Sequence, residues 1–268
     1  MDAAQTDEYL RRIGVERPPA PTAQALRTLH LAHLRSVPFE NLSIHLAEHI
    51  ELTEDALVDK VVARRRGGFC YELNGAFGAL LGSLGFEVTT LQARVHGEGG
   101  RLGIPYDHMA LRVATAGGGE WIADVGFGTN SHLPLDLGAL GTEQHDPGGT
   151  FVLTRTGEGD LDVSRDGTPQ YLMEQRPRVL ADFTAGAWYH RTSPDSHFTR
   201  SLVCSMLTRD GRITLSGRQL TRTADGQRGT VELTSEAEVL DAYRTHFGIV
   251  LDRAPEMATT LRQTGTAG

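Results

Sequence analysis

The sequence predicts an α+β protein: helical in its first third, sheet-like from about residue 86, and closed by one more helix. Three observations carry this. Apolar residues recur at helical spacing through the first 84 residues. Short runs rich in Val, Ile, Thr and aromatic residues then alternate with glycine-rich turns. Near the end, Ser235 and Glu238 form a capping box ahead of a last periodic run.

Pro21-Thr22 reads as a helix start, and residues 23–35 place Leu26, Leu29 and His33 on one face until Pro38 ends the helix. Thr53 caps a second helix with Leu57, Val58, Val61 and Val62 at helical spacing. A third begins near Cys70, runs through Phe77, Leu80, Leu81 and Leu84, and stops at Gly85. Residues 86–95, 109–113, 121–125 and 150–154 read as strands, and the sheet-like character extends to about residue 190. Residues 201–206 and 212–215 add strands around the turn Arg209-Asp210-Gly211. In the last helix Val239, Leu240, Tyr243 and Phe247 form the apolar face, and Gly248 closes it. Residues 253–268 are polar and are expected to be loosely held.

With 268 residues the chain can bury a substantial core, and its net charge of −8 argues against nucleic acid as the main partner. The cluster Arg64-Arg65-Arg66 is too short to reverse that balance. No run of about 18 apolar residues occurs, so no membrane span is expected. Residues 1–7 have neither the basic nor the apolar stretch of a signal peptide. The two cysteines, Cys70 and Cys204, are then expected to be reduced thiols in the cytoplasm. No cluster has zinc-ligand spacing, so no metal is expected. The glycine-rich stretch 97–103 lacks the helix and lysine of a phosphate loop and reads as a surface loop.

Cys70 lies in Arg64-Arg65-Arg66-Gly67-Gly68-Phe69-Cys70-Tyr71-Glu72-Leu73-Asn74. A thiol is a poor nucleophile until it loses its proton, and the unpaired amides of a helix N-terminus favour the anion. Gly67 and Gly68 allow a sharp turn and close backbone approach. On cysteine chemistry alone, a buried structural cysteine is the more ordinary reading. A reactive one needs a histidine and an orienting group. His108 heads the apolar run Met109-Ala110-Leu111-Arg112-Val113, and Asp124 sits inside Trp121-Ile122-Ala123-Asp124-Val125. If these strands pair antiparallel around Ala116, His108 and Asp124 lie directly opposite on one sheet face. Register is not visible in the sequence, and a satisfied core histidine and a turn-capping aspartate stay open. Cys204, within Leu202-Val203-Cys204-Ser205-Met206, reads as a strand core residue.

Taken together, these segments resemble the arylamine N-acetyltransferase family. The pattern runs through Leu29-His30-Leu31-Ala32-His33, Val37-Pro38-Phe39-Glu40-Asn41-Leu42 and the cysteine block. It continues with His108, Leu111 and Val113, then Asp124-Val125-Gly126-Phe127-Gly128. Ser193-Pro194-Asp195-Ser196-His197-Phe198-Thr199 and Gly211-Arg212-Ile213-Thr214-Leu215 match more loosely. The resemblance covers about residues 5–250.

It implies a helical bundle carrying the cysteine (residues 1–85), a β-barrel-like region carrying histidine and aspartate (86–192), and an α/β lid (193–268), with a core similar to that of transglutaminases and cysteine proteases. It also implies a Cys70-His108-Asp124 triad that moves an acetyl group from acetyl-CoA to an aromatic amine or hydrazine by ping-pong chemistry. Acetyl-CoA is then a substrate, and no bound cofactor is expected. Phe39, Phe127 and Phe198, with Phe69 and Gly126, are the expected substrate contacts. Glu40 and Arg66 are expected to form a buried ion pair. A homodimer is left open. Two other readings share the motifs: an amide synthase releasing a polyketide chain from a carrier thioester, and a silent binding protein that kept the fold.

Overall fold

The computed structural model describes residues 1–257. It opens on a helix that the sequence reading passed over, α1 (Ala3–Ile13). Its signals are local. Asp2 and Gln5 exchange side-chain to backbone hydrogen bonds, Tyr9, Leu10 and Ile13 are buried, and Gly14 closes the helix at φ 70°. Helix α2 (Ala23–Ser36) begins where the Thr22 hydroxyl accepts from the Ala25 N–H at 3.2 Å, and it buries Leu26, Leu29 and His33. The two-residue strand β1 (Phe39–Glu40), the single turn α3 (Leu42–His45) and α4 (Glu54–Val62) follow. Helix α5 (Cys70–Ser83) buries five consecutive residues from Cys70 to Asn74, so its first turn is enclosed on every face, while Gly75, Gly78, Ala79, Gly82 and Ser83 form a more open face farther along. Helices α1, α2, α4 and α5 share one core with Val113, Trp121 and Ala123 of the following sheet.

That sheet has eight antiparallel strands: β2 (Glu87–Val95), β3 (His108–Ala114), β4 (Glu120–Ala123), β5 (Leu135–Asp136), β6 (Gln144–Asp146), β7 (Gly149–Arg155), β8 (Leu161–Arg165) and β9 (Thr168–Met173). Their spatial order is β5-β4-β3-β2-β9-β8-β7-β6. The two edge strands are joined by one side chain. Gln144 accepts from the Asp136 N–H at 2.7 Å and donates to the Asp136 carbonyl at 2.9 Å. The sheet thus curls into a nearly closed barrel around Leu91, Phe151, Leu153, Val163 and Tyr171.

The sheet stops at Met173, short of the expected residue 190. A 3-10 turn (Leu180–Phe183) and α6 (Thr184–Thr192) occupy the remainder. The Asp182 carboxylate, accepting from the Val179 N–H at 2.9 Å, is the start signal. Gly186 then lets α6 press against the barrel: a Cβ there would lie 2.5 Å from the Tyr106 carbonyl oxygen.

The lid comprises α7 (His197–Arg200), β10 (Val203–Leu207), β11 (Gly211–Ser216), β12 (Gln219–Ala224), β13 (Gln227–Glu232) and α8 (Glu236–Ala242), whose extra turn ends at Gly248, φ 68°. Its sheet order is β1-β10-β11-β12-β13. The β12–β13 hairpin was not anticipated, because every residue of β13 is exposed and no apolar alternation marks it. Its turn, Asp225-Gly226 with both residues at positive φ, is a hairpin signal present in the sequence. Strand β1 pairs Phe39 with Ser205 and Glu40 with Cys204, so a segment of the helical region completes the lid sheet. Cys204 is fully buried in the lid core, as expected. Residues 253–257 are less loose than expected: Ala254 and Met257 pack on that core. The rest of the expected tail, 258–268, lies outside the described residues. No described helix is long and apolar enough to cross a membrane.

Candidate active site

Cys70 is the first residue of α5 and is buried against Phe69, Tyr71, Met109, Phe183 and Ala187. The helix start is held from below by charge. The Glu72 carboxylate accepts from the Phe69 N–H at 3.2 Å and takes the Lys60 ammonium at 2.5 Å. Lys60 also donates to the Ser43 hydroxyl at 2.8 Å. Beside it, Arg66 grips Glu40 through two parallel bonds, Nε to Oε1 at 2.9 Å and Nη2 to Oε2 at 3.2 Å. Glu40 is fully buried and Arg66 nearly so, and Glu48 takes the outer nitrogen at 3.1 Å. Burial would raise Glu40, but Arg66 and Lys60 hold it below the usual carboxylate range.

Of the two roles expected of the glycines, a sharp turn and close approach, only the second rests on their lacking a side chain. Neither has positive φ; the left-handed residue is Arg65, at φ 52°. They are required by close approach. A Cβ on Gly67 would lie 1.8 Å from the Pro38 carbonyl oxygen, and one on Gly68 would lie 2.6 Å from the Glu72 side chain. The Glu40 N–H donates to the Gly68 carbonyl at 2.9 Å, tying β1 to the cysteine turn.

His108 begins β3, and Asp124 follows the last residue of β4. The ladder pairs Leu111 with Ala123 and Ala114 with Glu120, and its turn closes with the Thr115 N–H donating to Gly119. It is therefore centred on Gly117 rather than Ala116. The offset makes His108 and Asp124 diagonal neighbours rather than directly opposed, but it preserves the face, because strand side chains alternate with period two. Gly118 and Gly119, both at positive φ, form the turn that sets this register. The His108 Nε2 lies 2.8 Å from the Asp124 Oδ2. That contact leaves Nδ1 as the ring nitrogen available to Cys70, which lies near enough to favour the imidazolium.

Burial would drive His108 toward its neutral form. The Asp124 carboxylate outweighs it and, with Cys70 alongside, the imidazolium is pushed up to about 10. Burial likewise works to raise Asp124, and His108 with the hydrogen-bond donors around the carboxylate holds it below its ordinary range. The signs give a stability prediction. The folded value of His108 lies above its free value of 6.5, so its contribution is complete below about pH 6.5 and is lost as pH rises through about 10. Asp124 is depressed, so its share is present above pH 3.8 and is lost on acidification. The urea midpoint of the parent should exceed that of His108→Gln by most near about pH 6, with the gap shrinking toward alkaline pH. A gap constant from pH 6 to about 10 would show that the charged pair adds nothing to folding.

Three positioning residues went unnoticed in the sequence. Asn74 donates to the Asp124 Oδ1 at 2.9 Å and to the Met109 carbonyl at 2.6 Å, while its own oxygen accepts from the Val125 N–H at 2.9 Å. It sits four residues after Cys70, one turn along the same helix face, which was the signal that could have found it. The Asp124 N–H donates to the His30 Nε2 at 3.2 Å, and His30 Nδ1 faces the His132 carbonyl at 3.0 Å. Asn130 adds a longer bond to Asp124 Oδ2 at 3.4 Å. The Gly126 N–H completes the set at 3.0 Å on Oδ1. Gly126 admits no side chain, since a Cβ would fall 2.7 Å from the Cys70 Cα.

Cys70 and His108 form part of the wall of a cavity of about 700 Å³ between barrel, helices and lid. Phe39, Gly126, Phe127 and Phe198 line it. The Phe127 ring stands edge-on to His108 at 5.1 Å, and Phe39 and Phe198 are 6.1 Å apart. Phe69 does not line it. It is fully buried behind the cavity, edge-on to Tyr71 at 5.0 Å and Phe198 at 5.7 Å, because the residue before an inward-pointing helix start points into the core. A second His–Asp contact reaches the same cavity, His190 Nε2 to Asp107 Oδ1 at 3.1 Å. Among the described residues no group of three His, Cys, Asp or Glu side chains is placed to hold a metal ion.

Fold and site together define the class: a family model described as N-acetyltransferase matches residues 22–256. The chain is 38% identical over 253 residues to an arylamine N-acetyltransferase of Mycolicibacterium smegmatis, covering 91% of each chain. It is 32% identical to arylamine N-acetyltransferase 2 of Mus musculus, covering 92% of this chain and 94% of that one. The solved arylamine N-acetyltransferase of Salmonella typhimurium superposes with a TM-score of 0.86 at 30% identity, covering 99% of this chain and 98% of that one. The Mycobacterium marinum arylamine N-acetyltransferase in complex with CoA superposes with a TM-score of 0.81 at 32% identity, covering 91% of this chain and 92% of that one. The chain belongs to the arylamine N-acetyltransferase family.

Proposed function

We propose that this protein transfers an acetyl group from acetyl-CoA to the nitrogen of an aromatic amine or hydrazine through an acetyl-Cys70 intermediate. The observation that carries the reading is that Cys70 and His108 share the wall of an aromatic-lined cavity, with His108 hydrogen-bonded to the buried Asp124 behind it. His108 accepts the Cys70 proton at Nδ1, and Asp124 stabilises the imidazolium from the other side. The thiolate adds to the acetyl carbonyl, the carbon–sulfur bond to CoA breaks, and CoA leaves with the proton carried by His108. The amine then adds to the acetyl-cysteine, His108 removes its proton, and Cys70 departs as thiolate. Each half-reaction passes through an oxyanion, and a backbone donor at such a site is worth about 3 to 4 kcal/mol. The Phe69 and Gly126 N–H groups are already committed to Glu72 and Asp124, so the donors are other amides near the start of α5.

Aromatic amines are neutral near pH 7 and can attack, whereas alkyl amines are protonated. Phe39, Phe127 and Phe198 supply the apolar surface for the ring, with Gly126 packed against the Cys70 main chain. We read residues 1–85, 86–192 and 193–268 as the three units that deliver cysteine, histidine–aspartate and lid. Incubation with acetyl-CoA followed by intact mass measurement should show one acetyl adduct, absent in Cys70→Ala and discharged by an arylamine. An unmodified parent protein, or an adduct that survives Cys70→Ala, would overturn the reading.

A further inference from the structure

The second His–Asp contact in the cavity wall belongs to a chain of hydrogen bonds with a defined direction. His190, on α6, turns its Nε2 to two oxygens of Asp107, the carboxylate Oδ1 at 3.1 Å and the main-chain carbonyl at 3.1 Å. A carbonyl can only accept, so Nε2 carries the hydrogen. With one hydrogen on the ring Nδ1 is the acceptor, and the Ser196 hydroxyl lies 3.2 Å from it. That hydroxyl oxygen accepts in turn from the Phe198 N–H at 3.2 Å, the bond that starts α7.

The chain therefore begins on the residue before His108 and ends on Phe198, which lines the cavity from the lid. Its first member has other holds. Asp107 Oδ2 accepts from the Val95 N–H at 3.0 Å, and the Tyr71 hydroxyl donates to the Tyr106 carbonyl at 2.6 Å and to the Asp107 carbonyl at 3.1 Å. At the other end the His190 ring stands edge-on to Phe198 at 5.1 Å, nearer than Phe69 at 5.7 Å or Phe39 at 6.1 Å.

His190 shares a carboxylate partner with the catalytic histidine but differs in its second nitrogen. His108 keeps Nδ1 for the thiol, whereas both nitrogens of His190 are engaged within the protein. Neither faces the proton of an incoming amine, so the pair is not a second acid–base dyad. What it offers the cavity is a ring held in one place.

We propose that His190 is a positioning residue for the acceptor: clamped between Asp107 and Ser196, it fixes the Phe198 ring relative to His108 and so sets which aromatic amines fit. The inference rests on the acetyl-Cys70 reading above and deepens its acceptor side. Losing the clamp acts unevenly. The strand before His108 keeps its bonds from Tyr71, while the Ser196 hydroxyl loses its acceptor and Phe198 the nearest of its three ring neighbours. The acceptor step should suffer more than acetylation of Cys70.

The test separates the half-reactions in Ser196→Ala, which cuts the chain at its Phe198 end, and in His190→Phe, which keeps a ring and removes both hydrogen bonds. Acetylation is read as CoA released in a single turnover, and the acceptor step as kcat/KM for aniline and for 4-aminobiphenyl. In both variants kcat/KM for aniline should fall about fivefold or more, chiefly through KM, the scale of one lost hydrogen bond. Preference should move toward the larger 4-aminobiphenyl as the wall loosens. The acetylation rate should change by less than about twofold. Ser196→Thr, which keeps the hydroxyl, should behave as the parent. Parent-like aniline kinetics and selectivity in the two folded variants would overturn the proposal. So would an equal slowing of both half-reactions, which would mark a role in folding or in holding His108. Failure of the acetyl-cysteine reading looks different: the parent itself would release no CoA in a single turnover and carry no acetyl group on Cys70.

Discussion

Asp124→Asn should lower kcat/KM for acetyl transfer by about 10³- to 10⁴-fold while leaving the protein folded, the scale seen when the buried aspartate of a related triad loses its charge. The reason is geometric and electrostatic. Asp124 Oδ2 is the group 2.8 Å from His108 Nε2 and the largest influence favouring the imidazolium. An amide at this position removes that charge and can present its NH2 to Nε2, which favours the wrong tautomer and leaves Nδ1 unable to accept the Cys70 proton. The amide is nearly isosteric, so the bonds from Asn74 and Gly126 to Oδ1 need not break. Steady-state kinetics with acetyl-CoA and an arylamine, beside a thermal melt, would decide it. A loss under about tenfold in a folded variant would mean that Asp124 only packs.

Arg66→Ala should destabilise the fold by about 3 to 5 kcal/mol, the usual cost of removing one partner from a buried ion pair. The fully buried Glu40 would keep its charge, or take up a proton, with only the Leu42 N–H at 2.7 Å and more distant Lys60 to compensate. The damage should spread, since Glu40 lies on β1, which joins the cysteine turn to the lid sheet. Urea unfolding at neutral pH measures it. Replacing both partners, Glu40→Gln with Arg66→Met, should recover much of the loss, because the penalty comes from an uncompensated charge rather than from a missing attraction. An Arg66→Ala protein as stable as the parent would show that the pair is dispensable.

The helices around Cys70 and the strands that carry His108 and Asp124 could be read along the chain because their causes are local: apolar periodicity, caps at Thr22 and Ser235, glycine stops at Gly85 and Gly248. The resemblance named the three side chains as a set. What lay beyond local reading were contacts between distant segments. The β3–β4 register depended on how Gly118 and Gly119 closed their turn, and sequence patterning tolerates either centre. The closure of the barrel through Gln144, and the insertion of β1 into the lid sheet, join residues that no periodicity links.

The same division runs through the site. Local sequence was enough to mark a cysteine at a helix start, a histidine heading an apolar run and an aspartate inside another, since these features lie within a few residues of one another along the chain. Folding alone chose their partners: Asn74 and His30 for Asp124, Gly126 for the close approach to the Cys70 main chain, and the core rather than the cavity for Phe69. Propensity and patterning act over a few neighbouring residues, whereas hydrogen bonds and excluded volume act over a few ångströms, and only the folded chain converts one distance into the other.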